Sequence, residues 1–209
     1  LASFGLMQRV VTVCYSICFY LYKLVAPHNL SPLYPRPVPL EWASPRFIAA
    51  MVGTVIVIAA AWSCRKRWPG VCAAIVAYIV LLSPTSGVAQ SGKHLVADRY
   101  SYLALLPFAV LAAGAIVSWL QSRDGASAGR RRLLAGGASV LVIGLVLLTV
   151  VQTLVWRNSA TLWAETLTLH PESSVAAVNL ADAIWTDQKS PQAAELYSHA
   201  VQIDPNDWR

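Results

Sequence analysis

Apolar residues along this chain gather into five long stretches, separated by short polar or charged segments. They run from about Val10 to Ala26, from Phe47 to Cys64, from Gly70 to about Ala89, from Tyr102 to Leu120 and from Leu133 to Val155. Each approaches the roughly 20 residues that a helix needs to cross about 30 Å of hydrocarbon. The pattern therefore predicts about five membrane spans. The fifth is uninterrupted by charge. In the third, the strictly apolar part ends near Leu82, and Ser83-Pro84-Thr85-Ser86-Gly87 follows. That helix either kinks at Pro84 or stops short and continues as irregular backbone. The second course requires surrounding protein or a watery cavity, because lipid offers no hydrogen bonds.

After Trp156 the pattern changes to one of amphipathic helices, and the sequence repeats itself at a spacing of 34 residues. Ser159–Ser174 aligns with Ala193–Trp208, matching Ala160 to Ala194, Leu162 to Leu196, Trp163 to Tyr197, Leu169 to Ile203 and Pro171 to Pro205. This spacing with a terminal proline is the pattern of tetratricopeptide repeats. Ser174–Thr186 reads as the first helix of a repeat, with Leu180 and Ala181 at packing positions, and Ala193, Tyr197, Ala200 and Pro205 fit the second. The expected fold is all-α: a polytopic transmembrane bundle over 1–156, then helical hairpins over 157–209.

Composition agrees with the membrane part. Hydrophobic residues are 56% of the 209 and charged residues 12%, about half the charge of a soluble domain. The net charge of +6 suggests a polyanionic partner until the charges are placed. Arg65, Lys66 and Arg67 follow the second stretch, and Arg123, Arg130, Arg131 and Arg132 lie between the fourth and fifth. The positive-inside rule puts these loops in the cytoplasm. The segments Pro27–Arg46, Gln90–Arg99 and everything after Val155 then face outward. The charge records orientation, and no nucleic-acid partner is expected. A bacterial inner membrane with periplasmic repeats and an endoplasmic reticulum membrane with lumenal repeats satisfy the rule equally, and the Ala- and Arg-rich loops favour the first.

Candidate chemistry concentrates in QSGKHLVADRYSYLALL, Gln90–Leu106. It sets Lys93, His94, Asp98 and Arg99 at the outer surface, with Tyr100 and Tyr102 following. Such a cluster suits a phosphate whose lipid tail stays in the bilayer, and a guanidinium pairs with phosphate bidentately. Equally, this is a solvated loop in which Asp98 balances Arg99 and the tyrosines belong to an interfacial belt. Lys23, one turn inside the first stretch, either snorkels to the surface or meets the same phosphate. The proline-dense segment Pro27–Arg46 predicts a stiff extended loop. Its sequon, Asn29-Leu30-Ser31, is followed directly by Pro32 and hugs the membrane, so glycosylation there is not expected. The four cysteines and four histidines show no metal-ligand spacing. No metal or cofactor is expected.

Taken in order, LYKLVAPHNLSPLYP, ADRYSYLALLPF and WRNSATLWAETLTLHPESSVAAVNLADA resemble the transmembrane and tetratricopeptide-repeat (TMTC) proteins, especially bacterial relatives. That family belongs with the GT-C glycosyltransferases. The resemblance implies a protein O-mannosyltransferase type of activity. A polyprenyl-phosphate sugar would be the donor, and outward repeats would receive a protein or peptide acceptor. It carries Asp98, Arg99, Tyr100 and Tyr102 onto the family's outer-surface motif. It also implies that the acidic pair serving catalysis lies in an earlier outward loop, upstream of Leu1, so the chain is expected to be a piece of a longer protein. Two other readings compete: a non-enzymatic membrane-anchored repeat scaffold, and a transporter. The second needs ionisable groups near the membrane midplane, where these spans have none.

Overall fold

The computed structural model describes residues 5–37, 41–86, 94–121 and 128–205. Helix dominates. In the first part, α1 spans Leu6–Val25, α2 Pro45–Cys64, α3 Pro69–Leu82, α4 Ser101–Ala104 and α5 Leu106–Gln121. A long α6, Ala128–Val155, is followed by α7 Ser159–Leu169, α8 Ser174–Gln188 and α9 Gln192–Ile203. The all-α expectation holds with one addition. A two-stranded antiparallel ribbon joins β1, Tyr34–Pro35, to β2, His94–Val96, with Tyr34 opposite Val96 and Pro35 opposite His94. The chain divides into two compact units, Leu1–Gln121 and Ser122–Arg209. The composition-based division at 156 and this packing-based one differ by α6, which falls with the terminal helices.

Two helices are long and apolar enough to cross a membrane: α2, and the Ala135–Val155 portion of α6. The stretch Asp98–Ala104 with Leu106–Ser118 is a third if its two parts, bent by 44°, form one span. The bend has a local cause. Pro107 has no N–H to offer the carbonyl one turn back, so the helix breaks at Leu105. Proline also ends α3. Its 14 residues, at about 1.5 Å each, reach only about 21 Å. A 3-10 turn, Ser83–Thr85, follows. Hydroxyls there take the helix-end carbonyls: Ser83 Oγ donates to Val80 O at 2.8 Å and Thr85 Oγ1 to Leu82 O at 3.1 Å. Of the two courses open at Pro84, the regular helix stops, and residues 87–89 of the expected span lie outside the described residues. The helix α1 has the length of a span, but Thr12, Ser16, Tyr15, Tyr20 and Lys23 dilute its apolar character.

In the first unit α1 crosses α2 closely. Cys18 Sγ donates to Ala50 O at 3.2 Å, and Thr54 Oγ1 donates to Cys14 O at 3.2 Å. A Cβ on Gly53 would lie 2.8 Å from Cys18 Sγ. Small and hydroxyl-bearing residues at such a crossing let backbones approach and hydrogen-bond where lipid offers nothing better. A buried cluster of Ile17, Tyr20, Tyr78, Leu82, Val96 and Ala104 then ties α1, α3, β2 and α4 together. Outward, Val52, Val55, Ile56, Ile58 and Trp62 of α2 are exposed, a surface suited to hydrocarbon.

In the second unit α6 leads into α7 through a defined corner. Asn158 Oδ1 accepts the Thr161 N–H at 2.8 Å, and Thr161 Oγ1 donates to Val155 O at 2.9 Å. Ser173 caps α8 through the Ala176 N–H at 3.2 Å. Ala176, Ala177, Leu180, Ala181, Ala193 and Ala200 are buried; small side chains along this seam allow close helix approach. Trp163 and Tyr197 are half-buried, and Pro171 and Pro205 stand exposed in the turns after α7 and α9. Tyr197 donates its hydroxyl to the Asp182 carboxylate, and this bond, more than burial, raises its pKa.

Gly53→Val should overpack the α1–α2 crossing and cost about 1–3 kcal/mol. Thermal unfolding in detergent measures this, and adding Cys18→Ala should recover part of the loss by removing the clashing sulfur.

Candidate functional site

The site lies where the loop after α1 meets the segment before α4. In α1, Ile17, Tyr20 and Lys23 recur one helical turn apart and so share a face. Tyr20 is fully buried, and its hydroxyl both donates to Ala97 O at 2.8 Å and accepts the Ala97 N–H at 3.1 Å. One phenol thus satisfies both polar groups of a buried peptide residue, groups that are costly to leave unpaired. Deeper in the unit, Tyr78 donates to Ile17 O at 2.7 Å.

Lys23, on the last turn of α1, is only 8% exposed. Its ammonium donates to His28 O and, at 3.2 Å, to Asn29 O. It also lies 5.5 Å from the Phe19 ring centroid and 5.4 Å from that of Tyr34. Asn29 adopts the left-handed backbone conformation, φ 49°, which asparagine tolerates better than most residues. That turn brings successive carbonyls onto one ammonium. Lys23 therefore holds the loop.

Asp98 is 6% exposed. Its Oδ2 accepts the Ser31 N–H at 2.6 Å and the Tyr34 hydroxyl at 2.9 Å, while its own N–H donates to Ser31 O at 3.3 Å. Burial, and after it the Asp98 charge, pushes the Tyr34 phenol well above its usual range, so it stays a donor at any physiological pH. Ser101 Oγ donates to Asp98 O at 2.6 Å and starts α4. The sequon is built into the same turn. Ser31 is fully buried with its hydroxyl on Leu33 O, and Asn29 O, 2.8 Å from the Tyr34 hydroxyl, shares that hydroxyl's one hydrogen with Asp98. Asn29 is exposed but turned into a left-handed conformation, and the serine of the sequon is buried.

Arg99, next in sequence, faces the other way. It is exposed; its guanidinium stacks 5.1 Å from the Tyr100 ring centroid and donates to the Tyr100 hydroxyl at 3.3 Å. His94 Nε2 lies 3.4 Å from that hydroxyl. Burial pushes the His94 pKa down, and the charges of Arg99 and Arg36 add to the shift. The imidazole is therefore neutral at pH 7. Tyr102 is 72% exposed and heads an apolar surface of Leu103, Leu106 and Val110.

Of the residues singled out from sequence, His94, Asp98, Arg99 and Tyr100 sit together, with Lys23 on the other side of Tyr34. Lys93 lies outside the described residues. Among the described candidates, Arg99 is the cation presented to solvent, while Lys23 and Asp98 are engaged in holding backbone. Ser31, Tyr34 and Tyr20 were not legible as part of the site. Their partners are 67, 64 and 77 positions away, and no local pattern marks such pairs. Among the described residues no cluster of His, Cys, Asp or Glu could hold a metal ion. No protein-family model, curated protein or solved structure matches the chain.

Tyr20→Phe should cost about 1–3 kcal/mol by stranding the Ala97 peptide groups, read as a lower melting point in detergent. The low His94 pKa has a definite sign. Below about 6.5 the unfolded segment binds more protons than the folded one, so stability falls as pH drops from there toward the folded pKa. Hydrogen exchange over 94–104 should accelerate on acidification below that value, and His94→Gln should flatten the change.

Proposed function

We propose that this chain belongs to a membrane-embedded glycosyltransferase of the protein O-mannosyltransferase type, using a polyprenyl-phosphate sugar as donor. The observation that carries the reading is the juxtaposition at the head of α4. An exposed guanidinium stands directly before an exposed run of Tyr102, Leu103, Leu106 and Val110. An amphiphile with a phosphodiester at one end and a hydrocarbon tail matches that sequence of surfaces. Sugar transfer from such a donor needs positive charge on the departing phosphate and a base at the acceptor hydroxyl. Arg99 supplies the first.

In this reading α1, α2, α3, the α4–α5 pair and α6 are five spans, with the Arg65–Arg67 and Arg130–Arg132 loops in the cytoplasm. By the same charge rule the loop after α1, the Arg99 segment and the chain after Val155 each face outward. The helices α7–α9 are read as tetratricopeptide hairpins that receive a protein or peptide acceptor on their concave side. The competing reading, a membrane-anchored repeat scaffold, draws on the buried alanines of α8 and α9 and needs no donor.

The test is donor binding by the full-length protein in nanodiscs, using polyprenyl-phosphate mannose and, as control, the polyprenol without phosphate. A charge-assisted hydrogen bond contributes about 1.5–3 kcal/mol, so Arg99→Ala should weaken phosphate-dependent binding by roughly 10- to 100-fold. Unchanged binding would remove the support for the transferase reading and favour the scaffold.

A further inference from the structure

We infer that Tyr34 and Asp98 are positioning residues that act through Arg99, locking its segment to the loop after α1 so that the guanidinium is presented at a fixed place. The inference rests on the reading that Arg99 meets the donor phosphate. It goes beyond that reading by giving separate work to the neighbouring residues.

Sequence alone leaves Asp98 and Arg99 as an adjacent pair of opposite charges, either cancelling each other or both facing a ligand. The fold separates them. The Asp98 side chain is turned inward onto Ser31 and Tyr34, and the Arg99 side chain outward onto Tyr100. The backbone that carries Arg99 is held on both flanks. Before it, β2 pairs with β1, and Tyr20 grips both polar groups of Ala97. After it, Ser101 closes onto Asp98 O. Asp98 is where the two flanks meet, because its carboxylate and its N–H both engage the 31–34 turn. The one hydroxyl hydrogen of Tyr34 is shared between Asp98 Oδ2 at 2.9 Å and Asn29 O at 2.8 Å, and Asn29 carries one of the two carbonyls held by Lys23. A continuous set of bonds thus runs from the end of α1 through the turn to the residue before Arg99. An exposed arginine on an unrestrained loop would lose conformational freedom on meeting a phosphate. One on a backbone already fixed loses less, and the saving appears as affinity.

The experiment is a double-mutant cycle in the full-length protein in nanodiscs, with polyprenyl-phosphate mannose as probe. Tyr34→Phe removes one oxygen from a side chain that remains aromatic. It should weaken binding by roughly three- to tenfold with Arg99 present and change it by less than about twofold in the Arg99→Ala background. Hydrogen exchange over 94–104 should rise in Tyr34→Phe while the α2 and α6 peptides stay as they were. Asp98→Asn keeps the shape and removes the charge, and it should reproduce the same pattern. Equal losses from Tyr34→Phe in both backgrounds would overturn the inference, as would unchanged affinity or unchanged exchange. A full effect of Arg99→Ala with any of these results leaves the donor reading standing and removes only the positioning role. No effect of Arg99→Ala removes both.

Discussion

A buried carboxylate accepting a backbone N–H and a phenol organises the end of the first unit that carries the candidate site. Asp98 makes these bonds to Ser31 and Tyr34, and the rest of that end depends on them. The loop after α1 cannot be helical, because prolines interrupt it. Its peptide groups must then find partners elsewhere, and buried groups without partners are costly. Asp98 and Lys23 each meet part of that need, and Tyr20 does the same for Ala97 in the facing segment. Once they do, the loop, β2 and the start of α4 form one piece, and Arg99 is left facing out.

The same constraint shapes the helices. In an apolar bundle a polar side chain is tolerated when its bond is made inside the protein. Thr12 and Ser16 return theirs to the carbonyl one turn back, at 2.8 and 2.9 Å. Tyr78 spends its hydroxyl on α1, and Cys18 and Thr54 spend theirs across the α1–α2 crossing. Through such bonds Thr12, Ser16 and Tyr20 of α1 are buried without stranding a hydroxyl. In the Ala135–Val155 portion of α6, Thr149 and Thr153 likewise donate to the carbonyl one turn back, at 2.8 Å each, although its most apolar window is 0% buried in the fold.

Much of this was legible from residues read in order. The positions of the apolar helices, a break in the third stretch near Pro84, the non-helical segment after α1 and the helices after Trp156 all follow from patterns a few residues long. The candidate site was legible as a cluster, not as a division of labour. His94, Asp98, Arg99 and Tyr100 are close in sequence and had to be close in space. That Asp98 faces inward could not be read, because Ser31 and Tyr34 give no sign of where they will lie. Lys23 likewise looked like a surface-seeking cation, and its partners proved to be carbonyls of its own loop.

Sequence by itself determined where helices run and stop, since apolar runs, prolines and capping residues act through hydrogen bonds within a turn or two. It also determined that charge is concentrated at the ends of apolar stretches. Only the tertiary structure decided which helices become neighbours, that β1 pairs with β2, and which of two adjacent charged residues is engaged and which is presented. Those outcomes depend on groups dozens of positions apart meeting at hydrogen-bond distance. That geometry exists only after the helices have packed, when a buried peptide group must be satisfied by whatever side chain the packing brings to it.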